Sequence, residues 1–148
     1  MRWATLVATG AILACVACND LRDFRSVWEG TRVGDSPVLR VGPGDGARLF
    51  VDKIDTHGIT GRLAVSGLMP ATEFSSVPGV EADALANLTF AGAPLRVYLA
   101  FVSVPDGAGD GTLVIALYND ERIEVRLLRG GPRPLYAIFT LTIAPNGS

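Results

Sequence analysis

The sequence predicts an all-β fold: a single antiparallel meander of roughly eight or nine strands, barrel or sandwich, with one short helical or irregular insertion around residues 67–86. Three observations lead there. Beyond residue 26 the chain breaks into short apolar stretches, separated at fairly regular intervals by Gly, Pro, Asp and Asn, the residues of tight connections. Within several stretches apolar and polar residues alternate with a period of two, which makes one face of a strand oily and the other wet. Helical periodicity is nearly absent from the same region.

Residues 27–33 open the series, and 37–41 follow the Gly34-Asp35-Ser36 turn. The Gly42-Pro43-Gly44-Asp45-Gly46 run then leads to 48–54, and Asp55-Thr56-His57-Gly58 connects that stretch to 59–66. In 59–66, Ile59, Gly61, Leu63 and Val65 alternate with Thr60, Arg62, Ala64 and Ser66. Residues 67–86 interrupt the rhythm: Pro70, Pro78 and Gly79 flank Glu73-Phe74-Ser75-Ser76, and 80–86 offer one or two helical turns. Stretches at 88–90, 95–104, 112–118, 122–128 and 135–143 complete the strands.

The later strands are apolar on both sides. Leu95, Val97, Leu99 and Phe101 oppose Tyr98, Ala100, Val102 and Val104, and 112–118 and 135–143 behave alike. A half-solvated sheet needs no second oily face, so something is expected to cover it. The segment 67–86, another subunit, a membrane surface or a bound apolar ligand would each serve. In 122–128, by contrast, Ile123, Val125 and Leu127 alternate with Glu124 and Arg126, as expected of a half-exposed or edge strand.

The first 26 residues have a different build. Met1-Arg2 supplies a positive start, residues 3–17 run apolar apart from Thr5, Thr9 and Gly10, and polarity returns at Asn19-Asp20-Leu21-Arg22. This is the three-part pattern of a secretory signal. As a helix the apolar run would reach about 22 Å, short of the ~30 Å hydrocarbon core. Both cysteines, Cys15 and Cys18, close this run. Ile12-Leu13-Ala14-Cys15 and Cys15-Val16-Ala17-Cys18 each resemble the lipobox of bacterial lipoproteins. Cys18 fits better, because its flank turns polar at once, and Cys15 is the other position the pattern admits. The resemblance implies a signal peptide over 1–17, acyl chains such as palmitate on Cys18, a lipidated N-terminus and short tether over 18–26, and a β domain over 27–148. It also implies a cell-envelope address, with Asn19 after the cysteine favouring the outer membrane over the inner.

Val27-Trp28-Glu29-Gly30 carries a second resemblance: a tryptophan on the first strand of such a meander is similar to the lipocalin and wider calycin β-barrels. That family places a glycine two residues before the tryptophan, where this chain has Ser26, and packs an arginine from near the last strand over it. Arg126 and Arg129 are the residues in the corresponding region. The other reading of Trp28 is a plug at one end of a β core.

The remaining composition narrows the chemistry. The net charge is −2, with scattered arginines and Lys53 as the one lysine, so no basic patch for nucleic acid is expected. The one histidine, His57, stands in a turn, which argues against a Ser-His-Asp group and against a zinc site. No cofactor or metal is expected. Asp106-Gly107-Ala108-Gly109-Asp110-Gly111 offers carboxylates to Ca²⁺ but equally suits a hairpin loop. Glu29, Asp52, Glu73 and Glu124 are the carboxylates from which a hydrolytic pair would be assembled. The expected function is that of a non-enzymatic envelope lipoprotein, with the membrane as one partner through its acyl chains and another envelope protein as the second. The alternative is a calycin-like carrier of a small apolar molecule or lipid, and a hydrolase is the third class.

Overall fold

The computed structural model describes residues 21–32, 46–77, 90 and 92–145. Eight strands follow one another in the chain: β1 Val27–Arg32, β2 Gly46–Ile54, β3 Ile59–Val65, β4 Met69–Ser76, β5 Arg96–Ser103, β6 Asp110–Tyr118, β7 Arg122–Arg129 and β8 Leu135–Ile143. Each pairs antiparallel with its sequence neighbour, and β1 pairs with β8, so the meander closes into a barrel. This is an all-β antiparallel up-and-down barrel, the architecture of lipocalin-like proteins. Closure decides between the barrel and the sandwich that the sequence left open.

Period-two alternation sets what lies inside. Trp28, Leu49, Ile59, Leu63, Leu113, Ile115, Leu117, Ile123, Val125, Leu127, Phe139 and Leu141 point inward and join one contiguous apolar core. All of these except Trp28 are 0 % exposed, so no space beside them admits even a water-sized sphere. An eight-stranded barrel is just wide enough for side chains to fill it, and here they do. Glycine occupies two inward positions where strands approach closely. A Cβ on Gly30 would collide with the Thr140 carbonyl oxygen, and one on Gly61 with that of Phe50. On the outside, β1 to β4 carry Glu29, Arg48, Asp52, Arg62 and Glu73, the reverse of a membrane-spanning barrel with its apolar outer band.

A 3-10 helix, Leu21–Phe24, precedes β1 and caps one end. Phe24 is buried, and its ring stacks on Trp28 at 5.6 Å between centroids. The Trp28 indole Nε1–H donates to the Phe24 carbonyl oxygen at 3.0 Å, which satisfies the one polar atom of a ring otherwise surrounded by hydrocarbon. Trp28 is therefore the plug of a β core. Neither candidate arginine packs over it: Arg126 lies against Phe90, and Arg129 bonds to Asp106 at the other end.

Three expectations change. Of the irregular segment expected at 67–86, Met69–Ser76 is strand β4, and 78–86 lie outside the described residues. The strand was hidden because Met69 and Phe74 are its only large apolar residues, while the inward Ser76 is satisfied by accepting a hydrogen bond from the Ile59 N–H at 2.8 Å. Phe90, expected in a strand at 88–90, belongs to none; 88–89 and the strand expected at 37–41 lie outside the described residues. Strand β7 is neither an edge nor half exposed, since it pairs with β6 and β8 and buries both faces.

The outer face of β6 and β7 shows how. Val114, Ala116 and Tyr118 of β6 and Glu124 and Arg126 of β7 point outward yet are buried. Arg126 Nε donates to Glu124 Oε1 at 2.5 Å, and the guanidinium lies 4.7 Å from the centre of the Phe90 ring. A Cβ on Gly92 would sit 3.9 Å from Tyr118 Cε1. Phe90 and Gly92, both from the connection between β4 and β5, thus lie against this face. Part of the expected cover comes from within the chain, from residues just beyond the segment 67–86.

Candidate functional site

The two ends of the barrel differ in what holds them. The end that carries Trp28 also gathers the β2–β3 turn, the start of β5, the β6–β7 turn and the last residues of β8. In the β2–β3 turn, Asp55 Oδ1 accepts from the N–H groups of His57 at 2.8 Å and Gly58 at 3.0 Å. These donors hold the Asp55 carboxyl below its usual range. From β5 the Tyr98 hydroxyl donates to the Asp55 carbonyl at 2.7 Å, and Arg96 donates to that of Thr56 at 3.0 Å. Burial pushes the Tyr98 hydroxyl up to about 12. His57 itself is a solvated turn residue, its side chain 92 % exposed, with Nδ1 3.7 Å from Asp55 Oδ1.

At the opposite end Arg129, the last residue of β7, ties two loops together. Its guanidinium donates to both carboxylate oxygens of Asp106, to the Gly109 carbonyl at 2.9 Å and to the Arg133 carbonyl at 3.0 Å. That pairing, with a further bond from the Ala108 N–H at 3.0 Å, holds the Asp106 carboxyl at about 2 and raises Arg129. Asp106 is thereby committed to an arginine, so the loop 106–111 reads as a pinned hairpin and not as a calcium loop. Among the described residues no group of His, Cys, Asp and Glu has the geometry to hold a metal.

Of the four carboxylates considered for hydrolysis, Glu29 pairs with Arg48 at 2.8 Å, and Glu124 is buried against Arg126. Only Asp52 and Glu73 share a concavity, an open groove of about 490 Å³ on the side of the barrel bordered also by Ser75 and Phe101. Asp52 lies 3.6 Å from Arg62 in that groove. A second open groove, of about 590 Å³, lies at the rim between β1, β2 and β3, with Glu29, Arg48 and Met69 on its border.

The side groove coincides with an incomplete seam. Strand β4 ladders onto β3 along its length, but onto β5 only from Phe74 to Ser76, against Ala100 to Val102, with one further bond from the Val77 N–H to the Leu99 carbonyl at 2.8 Å. Residues 69–73 therefore have a paired edge toward β3 and no described ladder toward β5. Phe101, 52 % exposed on the outer face of β5, pairs with Ser75, two residues along β4 from the end of that edge. Alternation in the sequence set Phe101 on the face opposite Tyr98, Ala100 and Val102 but did not tell which of the two apolar faces is the outer one. It carried no hint of the short ladder, because the connection between β4 and β5, residues 77–95, is too long for a turn to set the register. Cys15 and Cys18 lie outside the described residues. Compared with known proteins, the chain matches no family model, no curated protein and no solved structure.

Proposed function

We propose that the chain is a non-enzymatic lipoprotein of the cell envelope, held on a membrane by acyl chains on Cys18, and that its barrel makes protein–protein contacts. The observation that carries the contact reading is the seam: an edge of β4 laddered on one side only, beside an exposed aromatic ring. Unpaired strand edges accept an added strand from a partner, and flanking aromatic side chains supply the apolar anchor. The packed interior favours this reading over a calycin-like carrier, which needs a chamber for its cargo. The carboxylates whose acidity is shifted, Asp55 and Asp106, are both pulled down by donors, whereas a hydrolytic acid is pushed up. The anchoring reading is supported by the lipobox resemblance around Cys18, and the outer-membrane address by Asn19 after it.

A photo-crosslinking residue at position 101, compared with one at the exposed Thr142 on β8, tests the contact reading in cells. A discrete adduct from 101 alone is the expected result; none from 101, or the same products from both, would refute it. A stoichiometric apolar molecule extracted from the natively purified protein would instead establish the carrier. For the anchor, labelled fatty acid should enter the wild type and Cys15→Ala but not Cys18→Ala.

A further inference from the structure

We infer that the barrel stands on the bilayer by its Trp28 end, with the rim formed by the 3-10 helix, Leu95 and Ile143 apposed to the phospholipid surface. The inference rests on the anchoring reading and adds an orientation to it. Its first support is chain length. The segment from residue 18 to residue 26 would act as a free tether of ~26 Å at full stretch, but the structure folds most of it onto the barrel. Leu21–Phe24 is helical, Leu21 packs against the core, and Phe24 is buried against Trp28. Two residues, Asn19 and Asp20, then separate Cys18 from Leu21, a reach over three steps of at most about 10 Å. Acyl chains on Cys18 leave the Trp28 end little room to turn away.

The second support is independent of the first. Among the described residues three large apolar side chains are left exposed, Leu95, Phe101 and Ile143. Phe101 belongs to the side seam. The other two, 41 % and 42 % exposed, stand at the end from which the N-terminal segment leaves. The Leu95 N–H bonds to the Leu117 carbonyl at 2.7 Å as β5 begins, and Ile143 pairs with Trp28 as β8 ends. The backbone at both positions is held, so the side chains are presented at fixed places on the rim. Apolar side chains on such a rim enter the boundary between headgroups and acyl chains, a layer about 5–10 Å deep. Charge contributes little to the orientation, because this end is close to balanced, with Arg22, Arg25, Lys53, Arg96 and Arg122 against Asp23, Asp55, Asp120 and Glu121. Salt should therefore leave it unchanged.

The test uses the full-length lipidated protein in phosphatidylethanolamine–phosphatidylglycerol vesicles that carry a headgroup nitroxide quencher. A thiol-reactive fluorophore is placed in turn on Leu95→Cys and Ile143→Cys at one end and on Ala108→Cys and Pro132→Cys at the other. Quenching at 95 and 143 should exceed that at 108 and 132 at least threefold. A twenty-residue Gly-Ser insertion between Asp20 and Leu21, with an r.m.s. span of about 25 Å, should bring the ratio toward one. Equal quenching at both ends of the uninserted protein, or stronger quenching at 108 and 132, overturns the orientation. Flotation and fatty-acid labelling of the same samples report the anchor separately. A chain that neither floats nor takes up label refutes the anchor and the orientation together, whereas a labelled, floating chain with equal quenching refutes the orientation alone.

Discussion

The β6–β7 wall and the β4–β5 seam are built from strands of similar length and lie one strand apart, yet they solve opposite problems. In the wall, ladders run from Thr112 to Tyr118 without interruption, and both faces are buried, the inner by the core and the outer with Phe90 and Gly92 lying against it. In the seam, pairing covers Phe74 to Ser76, and the outer face leaves Phe101 in solvent. The difference teaches that closing a barrel does not require every seam to be equally tight. One over-covered wall supports a neighbour that keeps an edge available.

The largest expected effect breaks the wall. Replacing Arg126 with Met leaves the Glu124 carboxylate buried without its cation, which should cost about 3–5 kcal/mol in urea unfolding. Adding Glu124→Leu should recover most of that loss, because an apolar pair of similar size needs no charge compensation. A charged pair that merely decorated a half-exposed strand would show neither effect.

Hydrogen exchange sharpens the contrast without a mutation. Amides of β6 and β7 should exchange only through global unfolding. Those of residues 71–73, laddered on one side, should exchange about 100-fold faster or more through local opening. Equal protection across both regions would mean the seam is as closed as the wall.

A smaller, local effect is expected from acid. The Asp106 carboxyl is held at about 2, below its ordinary 3.8, by Arg129. The stabilisation of the two-loop knot is complete above about pH 4 and disappears as pH falls through 2. Loop resonances of 106–109 and 130–133 should broaden in that window in the wild type. In Asp106→Asn they should be loosened already at neutral pH and show no such transition.

The smallest effect belongs to the seam. Phe101→Ser should change stability by no more than about 0.5 kcal/mol, because the ring buries little within the monomer, while abolishing a contact made through that face. A large loss of stability would instead mark Phe101 as part of the fold.

How much of this the sequence discloses depends on whether a local pattern or a distant partner fixes the structure. Strands β1 to β3 and β5 to β8 are legible within two residues, since inward Leu, Ile, Val and Phe alternate and turn residues punctuate them. Strand β4 escapes because a serine satisfied by a backbone donor occupies a core position. The burial of β7 escapes because Glu124 and Arg126 read as a wet face until Phe90, more than thirty residues earlier, lies over them. Trp28 is legible as a plug, whereas its partner Phe24 is not, being separated from the strand by what looks like linker. The candidate contact face was barely legible: alternation separates Phe101 from Tyr98, Ala100 and Val102, but with both faces apolar nothing local tells which is outer or reveals the open edge of β4.

Closure of the ring by β1 and β8 also brings the start of β1 and the residue after β8 side by side, with the Ala144 N–H bonded to the Val27 carbonyl at 2.9 Å. A reporter attached just after Ala144 would therefore emerge beside the start of β1, where, if the proposed orientation holds, it would compete with a lipid surface for space. Joining the old ends and re-cutting the polypeptide in the glycine-bearing hairpin at 107–109 would move both free ends to the far pole, while each neighbour in the ring is retained.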